Sequence, residues 1–317
     1  TVIMKLIKVL ILFLIVSSCT GDDEIIDNSK EITPGVKIIN SSNFSTSTIN
    51  SWVNYGVSKM KDQNSDILLV SWNVGDFISE GGFDRPYNKN KVLLSPSQIE
   101  DILSQISSWL DRSCLSESDK SRELKSYRNY LENGADASSQ IVLCSNSRII
   151  LTAFQIPPVD NPEENASIQS FILHELYHAF QHDLGDMNCT LNREDNSSSN
   201  GRQIVEGAAE YFGKIVTGKM NGTNGVNTLL RITYNDYLSG DIKTIDDGNG
   251  WAAGIRLMIE RNWLDESIVL DGSLFHNCET ENLYTDSNPN MSKLKSLWNK
   301  IEKNGDNYTF SNQALND

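Results

Sequence analysis

Forty-two acidic residues against 27 basic ones give this 317-residue chain a formal net charge of −15, which argues against a nucleic-acid partner and against docking on anionic lipid headgroups. That charge permits a basic peptide substrate without implying one. The length suffices for one large or two modest domains with a real hydrophobic core.

Residues 1–19 form a targeting segment. Met4 is the expected start, with Thr1 to Ile3 upstream. Lys5 and Lys8 supply a basic region, residues 6–16 an apolar core, and Ser17-Ser18-Cys19 a small-residue processing site. The apolar run is too short to span a bilayer comfortably. Val16-Ser17-Ser18-Cys19 resembles a bacterial lipobox, with Val where Leu is usual. The resemblance implies that Cys19 becomes the lipidated first residue of an exported protein anchored to the bacterial outer membrane. Plain secretion with cleavage near Cys19 is the alternative. Asp22-Asp23-Glu24 resembles the export signal of some surface lipoproteins, and its plain reading is a solvated linker. Residues 20–37 are polar and aperiodic, a flexible tether, with the folded part beginning near Val36 and the domain assigned to 38–317. Cys114, Cys144, Cys189 and Cys278 allow three pairings, and the absence of C-x-x-C spacing makes them poor metal ligands. Structural disulfides or isolated buried thiols are the expected roles.

Ile49, Trp52, Val53, Val57 and Met60 fall at helical spacing over residues 47–61, and the apolar run 67–72 reads as a buried strand. Residues 75–90, with Gly81-Gly82 and Pro86, read as a loop. Ser95-Pro96 opens a helix whose core face is Ile99, Ile102, Leu103, Ile106, Trp109 and Leu110. A more polar helix follows over 118–132. Residues 141–144 and 148–154 then read as two strands joined by the turn Ser145-Asn146-Ser147.

Past Pro157-Pro158 and the acidic start Glu163-Glu164 comes the segment that organises the chain, His174-Glu175-Leu176-Tyr177-His178. Ile168, Phe171, Ile172, Leu173, Leu176, Ala179 and Phe180 make this helix apolar nearly all round, so it is expected at the centre of the fold. Histidines at i and i+4 share one helix face and can both reach a single zinc ion, with Glu175 beside it as general base. Buried polar groups need partners, and a metal supplies one. Two histidines leave the site one protein ligand short. His182 is a competitor, but it lies about 12 Å along the axis from His174. The metzincin pattern would need Gly at 181 and His at 184, where this chain has Gln181 and Leu184. His182 is therefore expected either to touch a ligand from outside or to be exposed. Gly185 ends the helix. Residues 186–201, rich in Asn, Ser and Asp, are expected to be a mobile surface loop, and the Asn-x-Ser/Thr triplets at Asn188 and Asn196 carry no glycosylation meaning.

A second helical pattern carries Val205-Glu206-Gly207-Ala208-Ala209-Glu210-Tyr211-Phe212-Gly213. H-E-x-x-H followed by a helix with E-x-x-x-[D/E] resembles the gluzincin metallopeptidases. Residues 206–213 are similar to the glutamate helix of thermolysin-like enzymes, and Glu206-Gly207-x-Ala to the corresponding aminopeptidase motif. The resemblance runs only from the active-site helix to this second helix, and the spacing 206 − 178 = 28 is longer than in compact gluzincins. It implies Glu206 as the third zinc ligand and Glu210, one turn on, as a carboxylate orienting a ligand histidine. Two solvated acids on a surface helix are the plain alternative. The resemblance further implies an α+β, zincin-like fold. A mixed helix and strand part, about 38–184, would face a mostly helical part, about 185–317, across the active-site cleft. In zincins an edge strand runs over the cleft and pairs with extended substrate. Residues 148–154 are placed to be that strand, with a plain core strand the open alternative. After the glutamate helix only helices are expected, over 227–238, 250–263 and 291–303, with Glu260-Arg261 an ordinary solvated pair.

Zinc held by His174, His178 and Glu206 would keep its fourth position for water and lower that water's pKa toward about 7. Glu175 would take the proton and pass it to the leaving amine. An oxyanion donor is the missing part. Trp251-Ala252-Ala253-Gly254 matches the aminopeptidase segment with Trp in place of Tyr. His276 stands where the thermolysin-like branch has a downstream histidine, and its plain reading is a surface-loop residue. Tyr234, Tyr237 and Tyr284 stay open. The expected function is zinc-dependent hydrolysis of peptide or protein substrates by an exported, lipid-anchored metallopeptidase, carried at the outer membrane or the cell surface. A non-catalytic zincin-fold binding or adhesion lipoprotein is the alternative. A purely structural zinc is disfavoured, since such sites are closed by four protein ligands. Mass spectrometry of the native N-terminus is expected to find a lipidated Cys19; an unmodified residue other than Cys19 there would mean plain secretion.

Overall fold

A computed structural model of the chain describes residues 35–61, 65–75, 94–113, 115–133, 138–142, 147–156, 161–184, 200–278, 283 and 285–317. The targeting segment, the tether as far as residue 34, the Gly81-Gly82 loop, Pro157-Pro158, Gly185, Asn188, Asn196, Tyr284, Cys19, Cys114, Cys144 and Cys189 lie outside the described residues, as do the side chains of His182 and Cys278.

Four strands build the sheet: β1 (Val36–Ser41), β2 (Asp66–Val74), β3 (Ser138–Val142) and β4 (Ser147–Gln155). Their spatial order is β1-β2-β4-β3, with β1, β2 and β4 parallel and β3 antiparallel to β4. β1 opens at Val36, two residues inside the span assigned to the tether. Side-chain alternation sends Ile67, Leu69, Ile150 and Phe154 to one face and Leu68, Val70, Trp72, Ile149, Leu151 and Ala153 to the other. Helices α2 (Pro96–Leu110) and α3 (Glu117–Asn133) cover the second face. A capping box starts α2, Ser95 accepting from the Gln98 backbone while Gln98 reaches back, with Pro96 in the first turn. Where β2 and β4 meet, the Ser71 and Thr152 hydroxyls bond at 2.6 Å, so these two buried polar groups satisfy each other.

The expected edge strand is corrected. Residues 148–154 belong to β4, which is paired on both sides; among the described strands β3 and β1 form the edges. The reason is legible in the residues, because β4 is apolar on both faces, as an interior strand must be, whereas β3 opens with Ser-Ser-Gln.

The first face is covered by α1 (Thr46–Val57) and by α4 (Pro162–Leu184), which contains His174 and His178. Beyond α4 come α5 (Asn200–Asn221), α6 (Gly225–Ser239), α7 (Gly250–Glu260) and α8 (Glu266–Leu270), then a 3-10 segment (Ser273–Cys278) and α9 (Pro289–Leu297). One hydrophobic core runs from the sheet through α4 and α5 into these helices. The back of α4 is clamped there: the Tyr177 ring stacks on Phe212 with centroids 4.6 Å apart, and its hydroxyl donates to the Val269 carbonyl. Among the described residues no helix is long and apolar enough to cross a membrane.

The chain does not end in helices alone. Residues 301–303, expected to be helical, lie in β5 (Ile301–Asn304), which pairs with β6 (Asn307–Phe310) before a short α10 (Asn312–Asn316). Ile301 continues the helical spacing of Met291, Leu294 and Leu297, but Gly305-Asp306 makes a two-residue hairpin turn that reverses the chain. The Asn227 side chain holds the hairpin to α6, donating to the Asp306 carbonyl at 3.0 Å and accepting from the Tyr308 N–H at 2.7 Å. Glu260 and Arg261 also differ from the expected solvated pair: Glu260 binds Arg256, and the Arg261 guanidinium lies 4.5 Å from the Trp263 ring centroid.

The architecture is thus mixed α+β, with a small, largely parallel sheet between helices. Two glycines of α5 set its spacing. A Cβ on Gly213 would lie 2.4 Å from the Ser170 carbonyl oxygen of α4, and one on Gly207 would lie 2.6 Å from the Trp251 Cβ of α7. Gly213→Ala is expected to force α4 and α5 apart. The overpacking should cost about 1–3 kcal/mol, more than the roughly 1 kcal/mol that alanine gains in helix propensity. A thermal melt with an unchanged or raised midpoint would show that the seam tolerates a wider separation.

Candidate metal centre

Helices α4 and α5 pack antiparallel, so residues one turn apart on each meet in sequence along a shared seam. At one end the Asn221 amide donates to the Gln169 side-chain oxygen at 3.0 Å, and in the middle Gly213 meets Ser170. At the other end, Glu206 and Glu210 of α5 face His174 and His178 of α4. Each pair is spaced i, i+4 and therefore projects from a single helix face.

The atoms of His174, Glu175 and His178 that could bind a metal lie within 4.8 Å of one another, so this cluster could hold a metal ion. The two Nε2 atoms are 3.0 Å apart, and Glu206 Oε2 stands 3.4 Å from that of His174 and 3.3 Å from that of His178. Glu175 Oε1 is 3.6 Å from His174 Nε2, and the residue is 7% exposed.

Hydrogen-bond chemistry assigns the protons. His174 Nδ1 faces a Glu210 carboxylate oxygen at 3.2 Å, which can only accept, so Nδ1 carries the hydrogen. His178 Nδ1 faces Gln181 Oε1 at 2.7 Å and donates in the same way. In the neutral rings both Nε2 atoms then present lone pairs, aimed at each other and at a carboxylate. Three acceptors converging on one point need a cation, either a proton or a metal. The spacing is close to what the second needs, since donors about 2.0–2.2 Å from a tetrahedral ion stand roughly 3.3–3.6 Å apart. Glu206 Oε2 stands so from both rings, while the two Nε2 atoms, 3.0 Å apart, would have to separate slightly. All three donors are nitrogen or carboxylate oxygen, the ligand types that zinc takes.

Without a metal, the proton takes that place. Burial disfavours the charged form of His174, but Glu206, Glu210 and Glu175 outweigh it and push the ring up to about 10. Burial also works against the charge of Glu206, which His174 and His178 hold well below the usual carboxylate range. Half of the Glu206 side-chain surface is open, so it marks the solvent side of the site. Burial opposes ionisation of Glu210 too. The Lys214 ammonium, 3.0 Å from its other oxygen, together with His174 holds it well below the usual range.

The structure thus brings together His174, Glu175, His178, Glu206 and Glu210. His276 lies exposed on the 3-10 segment and is not a member of the cluster. Its neighbour Phe275 packs edge-on against Tyr177, with ring centroids 6.2 Å apart. Trp251 is buried, and its indole N–H already donates to Asp246 at 2.7 Å, so it is spoken for as a donor. Tyr234 and Tyr237 pack on Tyr308 and Trp298. Sequence reasoning missed Gln181 as a partner of His178; the available signal was a polar residue at i+3 on an otherwise apolar helix. Compared with protein-family models, with curated proteins and with solved structures, the chain finds no match in any of the three.

The proton on His174 makes metal binding pH-dependent. Zinc takes the neutral imidazole, so at any pH below about 10 binding must release that proton. Zinc affinity, measured by chelator competition between pH 6 and 9, is expected to rise about tenfold per pH unit. A pH-independent affinity would mean that no proton is displaced. In the metal-free protein the sign is opposite. His174's contribution to stability is complete below its ordinary value of 6.5 and disappears as pH rises through about 10.

Proposed function

We propose that this chain is a zinc-dependent peptidase in which His174, His178 and Glu206 hold the metal, exported and anchored in the outer membrane through lipid on Cys19. One observation carries the reading: three lone-pair donors, 3.0 to 3.4 Å from one another, converge on one point, with a buried carboxylate beside them. Glu206 is preferred to Glu175 as the third ligand because Glu206 approaches both rings nearly equally, whereas Glu175 Oε1 stands 3.6 Å from His174 Nε2. Zinc, when bound, supplies a Lewis acid that polarises a carbonyl and makes water a nucleophile near neutral pH.

The remaining chemistry belongs to the protein. Glu175 accepts the proton of the attacking water and delivers it to the nitrogen of the leaving amine. Its burial keeps it from solvating freely and holds it beside the reacting atoms. Glu210 and Gln181 keep the two imidazoles oriented with Nε2 toward the ion. The β3 edge offers backbone N–H and C=O groups with which an extended peptide could pair. His276 is the histidine offered for the oxyanion, on the gluzincin resemblance alone.

The test compares the full chain with its Glu175→Gln and Glu206→Ala variants for zinc content and for cleavage of a broad peptide library. Glu175→Gln should retain zinc and lose about 10² to 10⁴ of the rate, while Glu206→Ala should lose the metal. A Glu175→Gln protein as fast as the wild type would remove hydrolysis from this site. A wild type that holds zinc and cleaves nothing would make a binding or adhesion protein the better reading.

A further inference from the structure

Gln181 lies one turn after His178 on α4, is 4% exposed, and uses its amide at both ends. Its Nε2 donates to the Val205 carbonyl of α5 at 2.8 Å, and its Oε1 faces His178 Nδ1 at 2.7 Å. A backbone carbonyl can only accept, so the amide atom facing Val205 must be the nitrogen. The atom facing His178 is then the oxygen, and His178 must donate to it. That single constraint puts the hydrogen of neutral His178 on Nδ1 and leaves the Nε2 lone pair aimed at Glu206 and His174.

Val205 immediately precedes Glu206. One side chain therefore joins the ring of one donor to the backbone beside another, across the two helices that carry them. His174 is held differently, by the Glu210 carboxylate with Lys214 balancing its charge. Few residues could replace the amide. A carboxylate at 181 could accept from His178, but its second oxygen would face the Val205 oxygen with no proton to offer. An apolar residue would leave the His178 N–H and the Val205 carbonyl buried and unpaired.

We infer that Gln181 is a positioning residue of the metal site. It sets which nitrogen of His178 is free and fixes the offset of α5 that brings Glu206 to both rings. The inference rests on the metal-centre reading above. Its force comes from two bonds made by one amide, because the loss of either can be measured apart from the other.

The experiment uses the full chain as wild type, Gln181→Leu and Gln181→Glu. It measures zinc affinity by chelator competition, the visible spectrum of the cobalt(II)-loaded protein, and the thermal midpoint of the metal-free form. Both variants lose the bond to Val205, so both should melt lower. Only Gln181→Glu keeps an acceptor for His178. Gln181→Leu is expected to bind zinc about 10- to 100-fold more weakly, with a shifted cobalt spectrum. Gln181→Glu is expected to bind more tightly than the leucine variant, with a cobalt spectrum between those of the leucine variant and the wild type. Should the leucine variant fail to fold, Gln181→Met, unbranched and adaptable, takes its place. Equal affinities and spectra for the two variants, or a leucine variant matching the wild type, would reduce Gln181 to a packing role. A wild type that binds no zinc would overturn the metal-centre reading and this inference together.

Discussion

The structure turns on the contact between α4 and α5. Antiparallel packing at a separation that only glycine permits lays the face with His174 and His178 directly against the one with Glu206 and Glu210. Gly213 against Ser170 sets the distance on one side of α5, and Gly207 against Trp251 on the other. Helix α5 is thus wedged between α4 and α7 with no freedom to drift by the width of a methyl group. Everything else steadies this pair. The sheet supports α4 from one side, and the Tyr177 ring and hydroxyl lock its back to Phe212 and Val269.

Such a seam carries an electrostatic demand. Three acceptors meeting in a partly buried space cannot stay without positive charge between them. The metal-free protein meets the demand by keeping a second proton on His174, whose ring Glu206, Glu210 and Glu175 push up to about 10 against the effect of burial. A divalent ion would meet the same demand, because one ion can face all three donors at once. Lys214 completes the balance by neutralising Glu210, so the carboxylate that orients His174 adds little net charge to the site. His178 is held by a neutral amide instead, and the two histidines are therefore electronically unlike despite their matched positions.

Much of the local structure was legible in the residues. Helical spacing located α1, α2, α3, α6 and α7, and the Ser95-Pro96 signal marked the start of α2 because a cap is a contact between near neighbours. Apolar runs located β2 and β4. The edge of the sheet was misplaced because strand order depends on pairing across long stretches of chain, although the Ser-Ser-Gln opening of β3 carried a hint. The terminal hairpin was missed because Ile301 extends a helical period by coincidence, and the period outweighed the Gly305-Asp306 turn.

The sequence by itself determined that His174 and His178 would share a helix face with Glu175 alongside, because a four-residue spacing and a 3.6-residue turn settle that inside one buried helix. It also argued against one ion being bound by both His174 and His182, since the axial rise sets them about 12 Å apart. What approaches the two histidines was not a local matter. Glu206 is 28 residues past His178, and the packing of α5 against α4 decided that its carboxylate lies within 3.4 Å of both rings. The same holds for Gln181, whose second partner is a backbone carbonyl on the other helix. Helix faces follow from residue spacing, but which faces meet follows from shape, and here the shape is set by two glycines.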